Sequence, residues 1–516
     1  MKRCAVTLSP GGGAALFQEG TILLDALADM DAVIQSPCGG RGICGKCAVI
    51  AEGSLSPATE AERRFLSGKD GKRLACQAEI SGPVTVRWER KADIKGRYPF
   101  VDPVSRFGVA VDIGTTSVQV SLVPSGAGEA FVIDSFINPQ RRYGHDIISR
   151  IAAARDGAAA ADLTRRIRHA IKSSILRALE ALMVRPEHIG RIVISGNTTM
   201  QYLFFGLDVA PLGSYPYQAG LRDLEGDGFS PVRVGMDEFT DAEILAMPIF
   251  SAFIGGDAIG GFADFNTRGY RENVFYIDLG TNGEIIVSND RGEVHGASCA
   301  MGPALEGMNI SCGMSAGDGA ITRVRMKGDS FEYDMIGAGE PVGISGTALV
   351  DIAALLLDRG WLSHRGLLAE LGTSLPSPAR IEAGPGGRMV RLWGRIALSQ
   401  GDVRNLQLAK GASLAASSLL LRAAGCGADD IRHVIIAGAL GQNLDRDRFR
   451  RLGFIPDFPG AAYHVVGNAS LGAAERACRE DAFMGIAREI RDRMIELPLA
   501  ANNEFRGEFI RALDFP

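Results

Sequence analysis

Apolar and polar positions along the chain first sketch a small β-rich module. AVTLSP (5–10), KCAVIAEG (46–53) and VTVRW (84–88) read as short strands. TILLDALADMD (21–31) has helical spacing, with Ile22, Leu23, Ala26 and Leu27 on one face. DMDAVIQSPC (29–38) closes on a Ser-Pro turn signal. After Trp88 the polar stretch ERKADIKGRYPFVDPVS, with its two prolines and scattered charges, reads as a linker.

Beyond it the pattern changes. GVAVDIGTTSVQVSLV (108–123) predicts a buried strand, a tight turn and a second strand, and FYIDLGTNGEIIVSN (275–289) predicts the same again. Both carry apolar–Asp–apolar–Gly–Thr. Asp112, Gly114 and Thr115 match Asp278, Gly280 and Thr281. Each is followed by a strand ending in glycine, IVISGNTTM (192–200) and VIIAGALGQNL (434–444). Two matches in the same order point to an internal duplication. Helical patterns fit between the motifs, as in ADLTRRIRHAIKSSILRALEALM (161–183). The expected organisation is a module over 1–88, a linker over 89–105, and two halves of one larger domain over 106–250 and 251–516.

Bulk properties narrow the class. The 516 residues are 46% hydrophobic, enough for two or three cored domains. Charges of both signs are interspersed and sum to −5, so no basic run argues for nucleic acid. MKRCAVTLSPGGG lacks the apolar region of a signal peptide. The apolar run GASLAASSLLL (411–421) is too short to span a bilayer, so no membrane is expected and the location reads as cytoplasmic. Nine cysteines, an odd number in a long chain, argue against a disulfide framework.

CGGRGICGKC (38–47) fits three motifs. Gly40, Gly42 and Gly45 spell G-x-G-x-x-G, and Gly40, Gly45 and Lys46 approach a P-loop with Cys47 in place of Ser or Thr. Both need a strand before and a helix after, and neither context is present. The third reading is C-x5-C-x2-C from Cys38, Cys44 and Cys47, completed by Cys76 in RLACQAEI. This approaches the plant-type spacing of a 2Fe–2S loop, with the first gap one residue longer. Glycines there let backbone wrap an inorganic core and aim N–H groups at sulfur. A zinc site or four buried thiols are the alternatives.

The duplicated hairpins suit phosphate. The sharp Asp-x-Gly-Thr turn offers N–H groups and the hydroxyls of Thr115, Thr116 and Thr281, with Asn282 beside them. Asp112 and Asp278, at strand ends, can hold Mg2+ directly or through water. The Gly438–Gly441 turn leaves room for adenine or ribose. Ordinary β-hairpins are the plain alternative.

The N-terminal module resembles the β-grasp fold of 2Fe–2S ferredoxins. Asp112 to Thr116 and Asp278 to Asn282 are similar to the phosphate motifs of the sugar kinase, Hsp70 and actin superfamily, with Gly438 and Gly441 a looser match to its adenosine motif. INPQRRYGHDIISRI (137–151), ISGNTTM, FIGGDAIGG (253–261), IDLGTNGEI and GPALEGMNISCGM (302–314) resemble the reductive activators of corrinoid proteins over nearly the full length. The linker is short for that family.

The resemblance implies an α/β and α+β multidomain fold: a β-grasp 2Fe–2S domain followed by a duplicated actin-like ATPase fold. It implies one 2Fe–2S cluster, ATP and Mg2+. The reaction it implies is ATP-dependent transfer of one electron to a Co(II) corrinoid on a partner methyltransferase protein, restoring Co(I). An external low-potential donor would resupply the electron, and a homodimer is left open. An activator of another low-potential enzyme such as an acyl-CoA dehydratase, a kinase with a redox sensor, and an actin-like scaffold are the rival readings.

The chain has no D-x-H-x-x-G motif, so the corrinoid is expected on the partner. His145 reads as a helix-surface histidine. Cys299 and Cys312 read as buried thiols, with a second cluster as the alternative. SCGMSAGDGAI (311–321) reads as a ligand-facing loop.

Overall fold

The computed structural model describes residues 2–516 except 11–12, 31, 33, 35–39, 41, 43–44, 67–70, 88–97, 127, 145, 221–223, 225–227, 385, 439 and 441–442. The first unit is a mixed five-stranded sheet. It contains β1 (Arg3–Ser9), β2 (Ala14–Gln18), β3 (Ala48–Leu55), β4 (Lys72–Leu74) and β5 (Ile80–Arg87), in the order β2-β1-β5-β3-β4. The central pair β1 and β5 is parallel, with Val6 opposite Val84. Cys4, Val6 and Leu8 of β1 and Ile80, Val84 and Val86 of β5 alternate inward, the period of a sheet with one buried face. Helix α1 (Leu23–Asp29) covers that face with Leu23, Leu24, Ala26 and Leu27. Ile22, which helical spacing places on the same face, precedes the helix in extended conformation and bridges to Glu79. A short helix, α2 (Glu60–Leu66), packs near β4; its buried Glu62 accepts from Arg73 Nε at 2.7 Å and from the Leu74 N–H at 3.1 Å. This is the β-grasp arrangement.

Of the stretch read as a linker, 89–97 lies outside the described residues, as does Trp88 before it. The rest touches the next unit, where the Tyr98 hydroxyl donates to the Ile133 carbonyl at 2.8 Å.

The larger fold is built twice. The first half opens with the antiparallel meander β6 (Phe107–Ile113), β7 (Ser117–Pro124) and β8 (Phe131–Ile137). Helices α3 (Ile147–Ala153) and α4 (Gly157–Leu182) follow, then β9 (Ile189–Gly196), α5 (Thr198–Phe205), β10 (Glu243–Ala246) and α6 (Gly256–Thr267). Its sheet runs β10-β9-β6-β7-β8, with β9 parallel to β6. Helix α4 begins before the apolar pattern does, because the Asp156 carboxylate caps it by accepting from the Ala159 N–H at 2.9 Å.

The second half repeats the plan. The meander is β11 (Val274–Leu279), β12 (Asn282–Ser288) and β13 (Val294–Ala300). Two small sheets are then inserted. One holds β14 (Ala320–Lys327), β15 (Ser330–Met335) and β16 (Gly343–Ile344), followed by helix α7 (Gly346–Asp358). The other holds β17 (Arg380–Gly384), β18 (Gly387–Trp393) and β19 (Ile396–Ser399).

Helix α8 (Gln400–Ala423) follows, with a Ser399–Asp402 capping box. It holds the apolar run 411–421, so that run is a core helix. Next come β20 (His433–Ala437), α9 (Arg446–Arg451), β21 (Ala462–Val465), α10 (Ala469–Arg479), α11 (Asp481–Arg493), β22 (Met494–Glu496) and α12 (Phe505–Arg511). The sheet order is β21-β20-β11-β12-β13-β22, and β20 is parallel to β11. Apart from the added edge strand β22, this is the order of the first half.

Both faces of the second sheet are buried, which is why VFYI (274–277) and VIIA (434–437) are continuous apolar runs. Helices α6 and α10 lie in the core between the sheets, with Ala258, Phe262, Ala473 and Ala477 packed with Ala110 and Val193 of one sheet and Tyr276 and Ile435 of the other. Among the described residues no helix is long and apolar enough to cross a membrane.

Candidate functional site: a paired-cysteine loop facing a two-sided cleft

Cys47 sits in the turn just before β3 and Cys76 in the turn after β4. Their sulfurs are 3.2 Å apart and buried, and neither is disulfide-bonded. A disulfide would bring them to about 2.05 Å. Gly40, Gly42 and Gly45 all have positive φ. A Cβ on Gly42 would meet the Gln77 side chain at 2.8 Å, and one on Gly45 would meet Phe65 at 2.9 Å. Gly42 and Gly45 thus lie close against Gln77 and α2. The Gln77 amide donates to the Gly40 carbonyl at 2.9 Å and lies 3.6 Å from the Cys76 sulfur. Two adjacent buried thiols with an amide donor aimed at one of them fit ligands of an iron–sulfur cluster. Cys38 and Cys44, the other two sequence candidates, lie outside the described residues. Gln77 was not singled out by spacing, although it adjoins Cys76 in sequence.

The two Asp-x-Gly-Thr hairpins face each other across a cavity of about 660 Å³. Asp112, Gly114, Thr115, Thr116, Asp278, Gly280, Thr281, Asn282 and Gly438 all line it. Gly441 lies outside the described residues, as does His145. The first hairpin is held by side chains behind it. Asn138 Nδ2 donates to the Gly114 carbonyl at 2.8 Å, Arg150 to the Thr115 carbonyl at 2.6 Å, and Asn197 Nδ2 to Thr115 Oγ1 at 3.1 Å. In the second, the Gly280 N–H closes the turn on the Asn282 carbonyl at 3.0 Å.

Acids gather at the cavity floor. Asp112 accepts from Asn468 Nδ2 and Ser470 Oγ, each at 2.7 Å. Burial raises its carboxyl above the usual range, partly offset by those two donors. Asp278 is pushed up to about 7, first by burial and then by the Asp112 charge. Asp257, in the first turn of α6, is raised by burial and by Asp278. Burial, with Asp257 and Asp278, lifts Glu284 well above the carboxylate range. Buried acids this close keep their protons or share a cation. Among the described residues no three His, Cys, Asp or Glu side chains converge to hold a metal ion by themselves.

Sequence reading missed Asp257, Glu284, Asn468 and Ser470. It quoted FIGGDAIGG, which contains Asp257, but nothing local tells that carboxylate from a helix-start aspartate. It also missed Glu306, whose carboxylate accepts from Thr116 Oγ1 at 2.5 Å and from Thr281 Oγ1. Met314, Ser315, Ala316, Gly317 and Asp318 line the cavity, so the loop 311–321 faces it as its composition suggested.

Cys299 is buried within hydrogen-bonding distance of the Gly283 carbonyl at 3.5 Å, and burial pushes its thiol up to about 12. Cys312, expected as a buried thiol, is only partly buried and donates to the Ala397 carbonyl at 3.1 Å. Both are tied into the packing of the second half.

The paired-cysteine loop and the cleft meet. Lys46, beside Cys47, pairs with Asp318 at 2.5 Å. The Arg395 guanidinium lies 4.7 Å over the Phe65 ring. On the other side α1 contributes Leu24, Asp25, Ala28 and Asp29 to the cavity wall, next to Arg141, Arg142 and Arg166.

A β-grasp domain seated on a duplicated fold with paired Asp-x-Gly-Thr hairpins defines a 2Fe–2S ferredoxin module joined to an ASKHA-type ATP-binding domain. Family models agree along the chain: a 2Fe-2S iron-sulfur cluster binding domain over 12–81, the RACo middle region over 107–267, and the C-terminal ASKHA domain of RACo over 272–516. The corrinoid activation enzyme RamQ of Eubacterium limosum is 30% identical over 419 residues, covering 77% of this chain and 68% of that one. The Co(II) methylated amine-specific corrinoid protein reductase of Methanosarcina barkeri is 25% identical over 443 residues, covering 79% and 77%. A solved reductive activator for corrinoid,iron-sulfur protein shares the fold, with a TM-score of 0.72 at 24% identity over 99% of this chain and 98% of that one. The chain belongs to the RACo family of corrinoid reductive activators.

Proposed function

We propose that this chain uses ATP to pass one electron to the Co(II) corrinoid of a partner methyltransferase protein, restoring Co(I). The observation that carries the reading is the seat of the ferredoxin module. Lys46, next to Cys47, is bonded to Asp318, which lines the cavity between the phosphate hairpins. A change in that cavity therefore has a direct route to the cysteine loop.

Cys38, Cys44, Cys47 and Cys76 would hold the cluster. When bound, a 2Fe–2S centre supplies one low-potential electron, roughly −400 mV for plant types, and an external donor resupplies it. Each ~59 mV of shortfall against the cobalt costs a factor of ten in a one-electron equilibrium. Nucleotide-linked closure offsets that shortfall if it favours a partner conformation that is easier to reduce.

The chain's own residues do the binding. Thr115, Thr116, Thr281 and Asn282 donate to phosphate oxygens, and the Gly438 turn leaves room for the nucleoside. Asp112 and Asp278 would hold Mg2+, which keeps several waters and takes phosphate oxygens as further ligands. That suits a floor without a complete protein ligand set. The ion's charge would displace protons from these acids to solvent and offset the repulsion among them.

The test follows the visible spectrum of a Co(II) corrinoid protein mixed anaerobically with the reduced chain. Co(I) should appear with Mg-ATP, and not without it, nor with Cys47→Ser or Asp278→Ala. Equal Co(I) formation with and without ATP would overturn the ATP requirement. No Co(I) under any condition, with cluster and nucleotide bound, would overturn the corrinoid client.

A further inference from the structure

The two threonines that the duplication assigns to phosphate are bonded to the same side chain. Thr116 Oγ1, from the first half, donates to Glu306 Oε2 at 2.5 Å, and Thr281 Oγ1, from the second, donates to Oε1. Among the described residues Glu306 is the one carboxylate that accepts from both hairpins. Asp112 is engaged by Asn468 and Ser470, and Asp278 by Tyr276 at 3.4 Å.

Glu306 is also held in place. It sits in a turn closed by its own N–H on the Pro303 carbonyl at 3.1 Å and by the Gly307 N–H on the Ala304 carbonyl at 3.0 Å. Ala304 and Leu305 anchor the turn in the core. At Gly346, the start of α7, any Cβ would press into the Leu305 carbonyl oxygen, so helix and turn are in direct contact.

We propose that Glu306 is the general base for hydrolysis of a nucleoside triphosphate in this cleft. The inference rests on reading the cleft as the ATP site, and adds the residue that would perform hydrolysis there. When a triphosphate enters, its oxygens take the Thr116 and Thr281 hydroxyls. A carboxylate that has lost both donors inside a cavity needs another. A water lying between it and the terminal phosphate supplies that donor and is thereby aimed at phosphorus. The water oxygen attacks the terminal phosphorus and its proton passes to Glu306. The bond from that phosphorus to the bridging oxygen breaks, and the nucleoside diphosphate leaves with that electron pair. Glu306 then returns the proton to solvent. The overall change is ATP and water to ADP and inorganic phosphate, with no redox partner required.

The chemistry also separates hydrolysis from mere binding. Charge repulsion between Glu306 and the triphosphate opposes binding, so neutralising this carboxylate should not weaken ATP affinity, whereas it removes the proton acceptor.

The experiment uses the full-length holoprotein with Mg-ATP. Phosphate release and equilibrium ATP affinity are measured for wild type, Glu306→Gln and Glu306→Asp. The expected result for Glu306→Gln is a kcat lower by about 100-fold or more with affinity retained or tightened. Glu306→Asp, which keeps a carboxylate at shorter reach, should retain part of the rate.

Wild-type turnover in Glu306→Gln would overturn the proposal. So would parallel loss of affinity and rate in both variants, which would make Glu306 a structural clip. A wild type that binds ATP without hydrolysing it overturns the base and leaves the ATP site standing. A wild type that binds no ATP overturns the site itself.

Discussion

Asp29, at the end of the ferredoxin helix α1, receives both terminal nitrogens of Arg166 from helix α4 of the first half. Arg142 stands 3.6 Å away on the same carboxylate. Lys46–Asp318 makes the matching contact to the second half. The ferredoxin module therefore spans the cleft mouth and holds one half on each side. Asp29→Asn removes the charge while leaving Arg166 paired with Asp162. We expect this to weaken the seat by about 1.5–3 kcal/mol, the range for hydrogen bonds to charged groups. Zero-length cross-linking of Lys46 to Asp318, quantified by peptide mass, should fall in yield; an unchanged yield would mean that Asp29 does not hold the module.

The duplication predicts a matched pair of sensitive glycines. Gly196 has φ +142° and Gly438 has φ +113°. A Cβ at Gly196 would press on the Ile113 carbonyl, and one at Gly438 on the Leu279 carbonyl. Ile113 and Leu279 each follow the motif aspartate, so either substitution pushes an Asp-x-Gly-Thr hairpin. Gly438→Ala should lower nucleotide affinity about tenfold or more, because left-handed backbone costs an alanine about 1–2 kcal/mol before any steric shift. Titration with ATP checks it, and circular dichroism confirms that the fold survives.

These glycines also mark what was legible in the sequence. Strand-then-glycine and Asp-x-Gly-Thr, each repeated once, carried the duplication, because buried strands and sharp turns leave strong local patterns; the strand order within each sheet came only from the fold. The added strand β22 and the small sheets β14–β19 carried no such repeat. Asp257, Asn468, Ser470 and Glu306 reach the cleft from segments distant along the chain. Their placement depends on the packing of α6, α10 and the Pro303 turn, which no local spacing encodes. Helix α4 started early because Asp156 caps it and the alanines of GAAAA are strong helix formers, although too small to mark a buried face in the pattern.

Gln77 offers a test of the cysteine loop. Its amide is 3.6 Å from the Cys76 sulfur, and hydrogen bonds to ligand sulfur stabilise a reduced cluster. Gln77→Leu keeps the volume and removes the donor. The reduction potential should become more negative by on the order of 60 mV or less, which is a factor of up to ten in a one-electron equilibrium. A redox titration followed by electron paramagnetic resonance measures it. Iron content per chain separates this effect from lost loading through the Gly40 contact. A potential that stays put or rises would remove Gln77 from the tuning of the site.

The acids on the cleft floor set a pH dependence of stability with a defined sign. Asp278 has a folded pKa of about 7 against an ordinary 3.8, raised first by burial and then by Asp112. Asp257, Glu284 and Tyr276 face the same charge and are raised too. A raised carboxyl pKa means that the folded chain binds the proton more tightly than the unfolded chain does. Its stabilising contribution is complete below about pH 3.8 and is lost as pH rises towards about 7.

In protein stripped of divalent cations, the midpoint of thermal unfolding should therefore fall between pH 5 and 8 in part through this group. Asp278→Asn removes the buried charge and relaxes its neighbours. It should fall less and be the more stable protein at pH 8, by on the order of a few kcal/mol at one pKa unit per 1.36 kcal/mol. Adding Mg2+ with nucleotide should restore stability to wild type at pH 8 and do little for Asp278→Asn, if the ion is held where the protons leave. Parallel pH curves for the two proteins would show that the floor acids do not carry the strain, and equal rescue by the ion would place it elsewhere in the cleft.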